Sequence, residues 1–417
     1  MIHEIKRPTY LRQLVSGQDN RMVKIITGIR RCGKSYLLFN LFYRHLLDSG
    51  IKEDHIIRIS LDNILNEDLL NPKALMQHIL NMVQDKDIYY VLLDEVQMVE
   101  RFVSAILSIM QIKNVNLYVT GSNSKFLSTD IATEFRGRGQ EIHMYPLSFK
   151  EYLSASGQTP AEAWQTYYVF GGLPQVAFLN GNKEKSDYLQ NLYSTVYIRD
   201  IIERNNLRKE GALDTLMKIL ASQIGCPCNP SKLSNTFKSI DKTYISSETI
   251  SSYLKCASDA FLIEKADRFD VKGKKYIGTL SKIYFTDLGV RNAILNFRQN
   301  EETHIMENII YNELKILGMK VDVGMVETRE AVKGKNSTQR YEVDFVVEYE
   351  SVRYYIQSAL QIPNREKEEQ ETASLIRIKD SFKKIIVVKD EIIPWWNENG
   401  ILIIGLFDFL LTPEKWM

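Results

Sequence analysis

One stretch of eight residues constrains the fold of this chain more than any other feature: Gly28 to Ser35 reads Gly-Ile-Arg-Arg-Cys-Gly-Lys-Ser. A glycine, four residues and Gly-Lys-Ser form the pattern of a phosphate-binding loop, although a pattern this short also occurs by chance. A β-branched run over residues 22–27 precedes the loop, and apolar residues at helical spacing follow it over 36–43. Because strand, glycine loop and helix are the context that the chemistry requires, the sequence predicts a nucleotide-phosphate site on an α/β sheet.

Each position of this loop has a predicted task. Gly28 leaves the strand in a turn that a side chain would obstruct, and Gly33 lets the backbone approach phosphate oxygens. Lys34 is predicted to reach the β- and γ-phosphates, and the Ser35 hydroxyl is predicted to ligate Mg²⁺. The rest of the predicted nucleotide-binding set comes from the loop and the first helical turn: Ile29, Arg30, Arg31, Cys32 and Tyr36.

A second motif follows at a suitable distance. Residues 88–95 read Ile-Tyr-Tyr-Val-Leu-Leu-Asp-Glu, a hydrophobic strand that ends in two acids. A carboxylate at the carboxyl end of such a strand can hold the magnesium shell, which is the role predicted for Asp94. Glu95 is placed to orient and deprotonate an attacking water. The competing interpretation is a strand ending in a solvated Asp-Glu turn, but two matched motifs favour the catalytic one.

Further candidates follow the predicted strand at residues 116–120. Asn123 or Ser122 is a candidate sensor of the γ-phosphate, and a plain turn is the alternative, since Gly, Ser and Asn all form turns. Arg136 and Arg138 come next, and a guanidinium can neutralise charge on a transferring phosphate, often from a neighbouring subunit. A basic surface turn is the alternative. An arginine that acts on a neighbour would make the protein a homo-oligomer.

Length and composition limit the number of domains and the class of protein. The 417 residues exceed the usual size of a single core, so several domains are expected. A net charge of +1 excludes a globally polybasic nucleic-acid coat but permits a local basic patch. Four cysteines are too few for a disulfide framework, and Cys226-Pro-Cys228 lacks the usual zinc or redox spacing. We find no apolar run near the roughly 20 residues that span a bilayer and no signal-peptide core, which predicts a cytoplasmic protein.

The chain is predicted to divide into four parts. Residues 1–147 form the phosphate-loop core, and residues 148–206 read as helices only, a lid whose first helix begins with a Ser148/Glu151 capping box. Residues 207–299 read as two short helices and a β-hairpin, the outline of a winged helix. Residues 300–417 begin with a helix and continue as strands, which predicts a small α/β domain.

The winged-helix segment predicts a partner of one of two kinds. Residues 231–290 hold ten Lys and Arg against seven Asp and Glu, a net charge of +3, which is only mildly basic. In a DNA-binding winged helix the second helix enters the major groove and hairpin lysines contact phosphates. Candidate DNA contacts are Thr249, Ser252, Lys255, Lys272, Lys274 and Lys275. Winged helices also dock proteins, so both kinds of partner stay open.

The motifs in this order carry a family resemblance. They are Gly28–Ser35, Leu92–Gln97, Thr120–Ser124, Arg136–Arg138, Pro146–Glu151 and Gly171–Pro174. The series resembles the prokaryotic AAA-type ATPases of the archaeal-ATPase-like group, whose members carry a winged helix and a C-terminal domain of uncharacterised function. The resemblance covers essentially the whole chain. It implies an α/β ATPase core with an added strand between the two nucleotide motifs, which fits residues 55–60, and it implies ATP with Mg²⁺, but it supplies no substrate.

The C-terminal part resembles the restriction-endonuclease-like fold. That fold uses a helix Glu, an Asp at a strand end, and an acid and a lysine two residues apart on the next strand. The matching positions here are Glu307, Asp344, Gln357 and Ala359. Ala359 cannot activate water and Gln357 adds no charge for a metal, so the resemblance implies a degenerate nuclease fold used for binding. Lys384 and Lys389 are the candidates for a relocated lysine.

Two functions of different classes follow from these observations. The first is an ATP hydrolase that switches or remodels a nucleic-acid or protein partner. The second is an ATP-dependent partner- or DNA-binding component of a regulatory or defence system, without significant turnover. Glu95 favours the first, because a nucleotide clamp has no need of a base beside Asp94. Ala359 disfavours an active DNA-cutting enzyme.

Overall fold

The computed structural model describes residues 4–18, 20–121, 135, 137–205, 207, 210–240, 245–299, 301–332 and 335–417. The chain divides into two compact units. The first is Met1–Pro146 with Asp259–Phe261, and the second is Leu147–Ser258 with Leu262–Met417. In the described ranges, no helix is both long and apolar enough to cross a membrane. The four-part division predicted from the sequence is finer than these two units and stays a prediction.

The first unit is built on a five-stranded sheet whose neighbouring strands pair in parallel. Its strands are β1 (Val23–Thr27), β2 (Ile56–Ser60), β3 (Tyr89–Asp94), β4 (Val115–Thr120) and β5 (Gly139–His143). They lie in the order β2-β3-β4-β1-β5. Every residue of β1 and β3 is buried, because both faces of a parallel sheet are covered, and most of these residues are apolar. The predicted α/β class is confirmed, and β2 is the added strand.

Helices pack against this sheet. Ile25, Val91 and Val119 of the strands share a buried cluster with apolar residues of the helices. Pro72 opens its helix, and the Asn71 side chain accepts hydrogen bonds from the N–H groups of Lys73 and Ala74 at 3.0 and 3.3 Å. The helical segments are Pro8–Ser16, Lys34–Tyr36, Leu37–Phe42, Tyr43–Asp48, Glu53–His55, Ile64–Leu70, Pro72–Met82, Val96–Met98 and Phe102–Ile109.

The second unit begins with helices, and its first one starts at the predicted capping box. The N–H of Ser148 donates to Glu151 Oε2 at 3.0 Å, and the N–H of Glu151 donates to Ser148 Oγ at 3.2 Å. The helical segments of the unit are Phe149–Ser156, Pro160–Phe170, Pro174–Phe178, Asn182–Leu192, Tyr193–Ile198, Arg199–Asn205, Glu210–Ser222, Pro230–Ile240, Ser247–Asp259, Leu288–Ile294, Glu302–Ile316, Arg365–Ile376, Leu406–Leu411 and Pro413–Lys415.

A single eight-stranded sheet completes the second unit. Its strands are β6 (Ile263–Asp270), β7 (Lys275–Phe285), β8 (Lys320–Val332), β9 (Lys335–Tyr349), β10 (Val352–Ala359), β11 (Lys383–Val388), β12 (Trp395–Trp396) and β13 (Ile401–Gly405). They lie in the order β12-β13-β11-β10-β9-β8-β6-β7. The predicted wing is the hairpin of β6 and β7, and β6 pairs in parallel with β8. The hairpin is therefore part of the C-terminal sheet.

Candidate functional site

The loop between β1 and the following helix requires its two glycines. Gly28 has φ +139°, and a methyl group there would lie 2.1 Å from the carbonyl oxygen of Met144. Gly33 has φ +103° and directly precedes the helix that begins at Lys34. L side chains rarely adopt either conformation. The backbone thus turns back on itself and leaves a concave loop at a helix start, which is the form that suits an anionic phosphate.

Lys34 lies inside this loop. Its side chain is buried, and its ammonium donates to the carbonyl oxygens of Gly28 and Ile29 at 2.9 and 3.1 Å. Ile29 and Cys32 are fully buried, so their side chains pack into the protein and contribute backbone alone to the loop. The loop residues Arg31, Ser35 and Tyr36 are exposed. Among the predicted loop residues, Lys34 is therefore the one buried cation aimed at the phosphate position.

An arginine from the amino-terminal segment holds the loop from behind. The Arg7 guanidinium donates to the carbonyl oxygen of Cys32 at 3.3 Å and to that of Tyr145 at 2.6 Å. The Tyr10 hydroxyl accepts a hydrogen bond from the N–H of Tyr145 at 3.1 Å. These contacts join the loop to the segment after β5. The sequence gave no signal for this role of Arg7, because its partners are distant backbone carbonyls.

The two nucleotide motifs meet at Asp94. This carboxylate is buried at the end of β3, accepts a short hydrogen bond from the Thr120 hydroxyl, and lies near the Ser35 side chain. Burial raises the pKa of Asp94, and the Thr120 and Ser35 side chains oppose that rise. A hydroxyl and a carboxylate oxygen brought together in this way are donors that fit Mg²⁺. Thr120 is a residue of this site that the sequence reasoning missed.

Glu95 is oriented separately from its neighbour. It has a left-handed backbone conformation with φ +53°, and its N–H donates to the Thr120 hydroxyl oxygen at 3.0 Å. The turn directs the half-buried Glu95 carboxylate to the side-chain amide of Gln97, which donates a hydrogen bond to it. Successive strand residues point to opposite faces of the sheet, and the backbone turns at Glu95. The Asp94 and Glu95 carboxylates therefore have different neighbours. Gln97 belongs to the motif Leu92–Gln97, but no role was predicted for it.

The remaining candidates of the first unit fall elsewhere. Ser122, Asn123 and Arg136 lie outside the described residues. Arg138 is exposed, and its carbonyl oxygen accepts from the N–H of Val23 at 3.0 Å. Since Val23 begins β1, Arg138 lies at the amino ends of the parallel strands, while the phosphate loop lies at their carboxyl ends. Five residues of strand, about 16 Å, separate the two edges.

The candidate DNA contacts occupy two places in the second unit. Ser252 and Lys255 are exposed on the helix Ser247–Asp259, and Thr249 is half-buried on the same helix. Three exposed lysines lie at the turn between β6 and β7: Lys272, Lys274 and Lys275. The Lys272 ammonium donates to the carbonyl oxygen of Glu327 at 2.9 Å. These residues supply local positive charge, as the composition allows.

The nuclease-like positions also come together, with one addition. Glu307 and Asp344 are buried, and the N–H of Asp344 donates to Gln357 Oε1 at 3.4 Å. The lysine at this cluster is Lys282 of β7, whose ammonium lies 2.9 Å from Glu307 Oε1. Neither Lys384 nor Lys389, the candidates for a relocated lysine, lies at this cluster. The Lys384 ammonium donates to the carbonyl oxygen of Asp380, and the Lys389 ammonium donates to the Glu302 carboxylate.

Comparisons with known proteins identify the first unit and leave the second without a function. A family model described as an AAA domain matches residues 20–153, and a model described as a domain of unknown function (DUF8612) matches residues 161–301. The solved structure of Aeropyrum pernix Orc1 protein in complex with DNA covers 70% of this chain and 93% of its own, at 11% identity and a TM-score of 0.34. A likeness that weak supports no conclusion.

Two curated relatives match along nearly the whole chain. An uncharacterised protein of Haemophilus influenzae is 32% identical over 416 residues, which is 98% of each chain. Uncharacterised protein MJ1544 of Methanocaldococcus jannaschii is 30% identical over 411 residues, covering 90% of this chain and 87% of its own. The chain therefore belongs to one family with these two uncharacterised proteins, and its residues 20–153 match the model of an AAA domain.

Proposed function

We propose that this protein binds ATP with Mg²⁺, hydrolyses it, and uses the cycle to switch or remodel a macromolecular partner. One observation carries the proposal: Ser35 of the phosphate loop lies close enough to Asp94 of the second motif to lower the pKa of that carboxyl, and it follows the buried Lys34 directly. A chance match to either motif would not bring these three groups together.

Each group has a task in this proposal. The Lys34 ammonium exchanges its bonds to the Gly28 and Ile29 carbonyls for phosphate oxygens. Ser35 and Asp94 would hold Mg²⁺, which when bound neutralises charge on the phosphates. Glu95 accepts the proton of the attacking water, and Gln97 positions its carboxylate through the amide hydrogen bond. The nine residues Gly28 to Tyr36 form the nucleotide cradle, with Asn123 retained as a candidate sensor.

Two variants test the assignment. Lys34→Ala should abolish ATP binding in calorimetry, because the γ-phosphate loses its charged partner. Glu95→Gln should retain binding and lose turnover, because the amide keeps the shape of the carboxylate but does not accept a proton at neutral pH. Wild-type protein without measurable ATP affinity in the presence of Mg²⁺ would contradict the proposal.

The alternative is a nucleotide-controlled binding protein without significant turnover. The hydrogen bond between Gln97 and Glu95 is the observation that favours it, since an engaged carboxylate is less available as a base. Single-turnover assays with radiolabelled ATP separate the two functions. Release of phosphate that Glu95→Gln eliminates supports hydrolysis, while ATP that binds and stays intact supports the alternative.

The partner is a separate question, and DNA is the more readily tested candidate. Exposed Lys255, Lys272, Lys274 and Lys275 could contact phosphates. Binding through such contacts weakens steeply as salt rises. Replacing the three hairpin lysines by alanine should reduce both the DNA affinity and its salt dependence. DNA affinity that the substitutions leave unchanged would direct the search to a protein partner.

A further inference from the structure

A buried ammonium ion lies among three carboxylates in the second unit. Lys282 of β7 is 3% exposed, and its Nζ lies 2.9 Å from Glu307 Oε1, 2.8 Å from Glu342 Oε1 and 3.7 Å from Asp344 Oδ1. Glu307 comes from the helix Glu302–Ile316, and the other two acids come from β9. The Tyr284 hydroxyl donates to Glu307 Oε1 at 2.7 Å. Three separate elements thus place their charges at one point.

These residues do not fit the divalent ion that a nuclease-like fold implies. Gln357 uses its side-chain oxygen to accept from the N–H of Asp344, and Ala359 offers no donor atom. Asp344 Oδ2 accepts from the N–H of Ser358 at 2.9 Å. Glu307 Oε1 and Asp344 Oδ1 are the carboxylate oxygens that lie nearest the Lys282 ammonium. Mg²⁺ requires near-octahedral oxygen ligands at about 2.0–2.1 Å, and the ammonium occupies that space.

We propose that the Lys282 ammonium takes the place of the divalent cation and makes this carboxylate cluster a metal-independent site. A lysine ammonium has three N–H donors, and Lys282 lies within hydrogen-bond distance of Glu307 and Glu342 and within 4 Å of Asp344. Glu342 has a second cationic partner, because the Arg268 guanidinium lies 3.1 Å from its Oε2. The consequence for function is that the C-terminal sheet does not cut DNA at this cluster. Lys282 lies on β7, so its ammonium holds the β6–β7 hairpin to β9 and to the helix Glu302–Ile316 instead of serving catalysis.

Electrostatics support the charged state of this lysine. Burial lowers the pKa of Lys282, but the carboxylates of Glu307, Asp344 and Glu342 outweigh that effect and raise it above the ordinary value. Burial and repulsion by Glu307 raise the pKa of Asp344. Three acids face one ammonium, and a proton on Asp344 reduces the surplus of negative charge. Removal of the ammonium would leave buried charges uncompensated, which is strongly destabilising.

The experiment uses the full chain without nucleotide and compares thermal melting in EDTA and in Mn²⁺. Wild-type protein should melt at the same temperature in both, and Lys282→Met should melt lower in EDTA by roughly 5–15 °C. Mn²⁺ should restore part of that loss, because the freed carboxylates regain a counter-ion. The restoration should vanish in the Lys282→Met/Asp344→Asn double variant. Lys384→Met is the matched control, since its ammonium contacts the carbonyl oxygen of Asp380 and no carboxylate of the cluster, and it should show no restoration.

Three results would overturn the proposal. One is equal melting of Lys282→Met and wild type. The second is calorimetric binding of Mn²⁺ to the wild-type protein that is lost in Asp344→Asn and retained in Asp94→Asn. This measurement does not depend on whether the Lys282 variant folds. The third is cleavage of single- or double-stranded DNA, with Mg²⁺ or Mn²⁺ and ATP, that disappears in Asp344→Ala. That outcome would make Lys282 a relocated catalytic lysine.

Discussion

Thr120 links the two acids at the end of β3 through a single hydroxyl. It donates to the Asp94 carboxylate and accepts from the N–H of Glu95. Thr120→Val keeps the shape of the side chain and removes both hydrogen bonds, leaving buried polar groups unsatisfied. We expect the free energy of unfolding to fall by about 1–3 kcal/mol, measured by urea denaturation. Thr120→Ser retains the hydroxyl and should lose much less. Equal stability of the valine variant and wild type would contradict this role.

His55 gives the first unit a pH-dependent contribution to stability. The side chain is buried, and the hydrogen bond with Asp54 and the charge of Asp85 raise its pKa, while burial acts in the opposite direction. The folded-state pKa thus exceeds the unfolded value of about 6.5. The stabilisation is complete below that value and is lost as pH rises through the folded-state pKa.

Melting curves of His55→Gln test this dependence. The difference in melting temperature between wild type and the variant should be larger at pH 6 than at pH 9. The ring also stacks on Tyr89 with centroids 4.4 Å apart, and that packing loss should be the same at both pH values. A difference that does not change with pH would assign the whole effect to packing.

The phosphate loop is the element most sensitive to substitution. At Gly28 a Cβ would overlap the Met144 carbonyl, and the backbone conformation is strained for other residues. Gly28→Ala should therefore cost more than about 1 kcal/mol of stability and weaken ATP binding at least tenfold. Gly211→Ala is the control: it lies in the helix Glu210–Ser222 with open space around its Cβ, and it should stabilise slightly. Unchanged ATP affinity in Gly28→Ala would show that the loop tolerates a different path.

At the scale of the whole molecule, the position of Arg138 bears on whether the protein acts as an assembly of subunits. It lies at the sheet edge opposite the phosphate loop, so it cannot act on the phosphates of its own subunit. We propose that it acts on a neighbour, where an arginine finger contributes roughly 10³–10⁵ in rate. Arg138→Ala alone and Lys34→Ala alone should both be inactive. Mixing them should restore part of the turnover, because a Lys34→Ala subunit supplies the arginine to an intact loop.

The mixing experiment also has a clear negative outcome. Arg138→Ala protein with wild-type turnover at all concentrations would make this residue a basic surface turn. Turnover per wild-type subunit should rise with protein concentration as assemblies form. An activity independent of concentration, together with no complementation, would exclude a contribution in trans.

The sequence by itself determined the parallel sheet and the identity of the nucleotide motifs. Both are local: the β-branched run before Gly28, the two glycines and the acids after β3 each specify their conformation within a few residues. The capping box at Ser148 was predicted for the same reason. Backbone preferences and short hydrogen bonds act over one or two turns, so a single stretch of sequence contains them.

Only the tertiary structure decided which distant side chains meet. Thr120 became part of the site because β4 lies beside β3, and Arg138 was separated from the phosphates because it lies directly before β5, at the opposite edge of the sheet. The sequence did not predict the position of Lys282. This residue is 25 positions from Glu307 in sequence and was predicted to belong to another domain. Strand order and register, fixed by burial of whole sheet faces, bring charges together over such distances. No local pattern in the sequence encodes that arrangement.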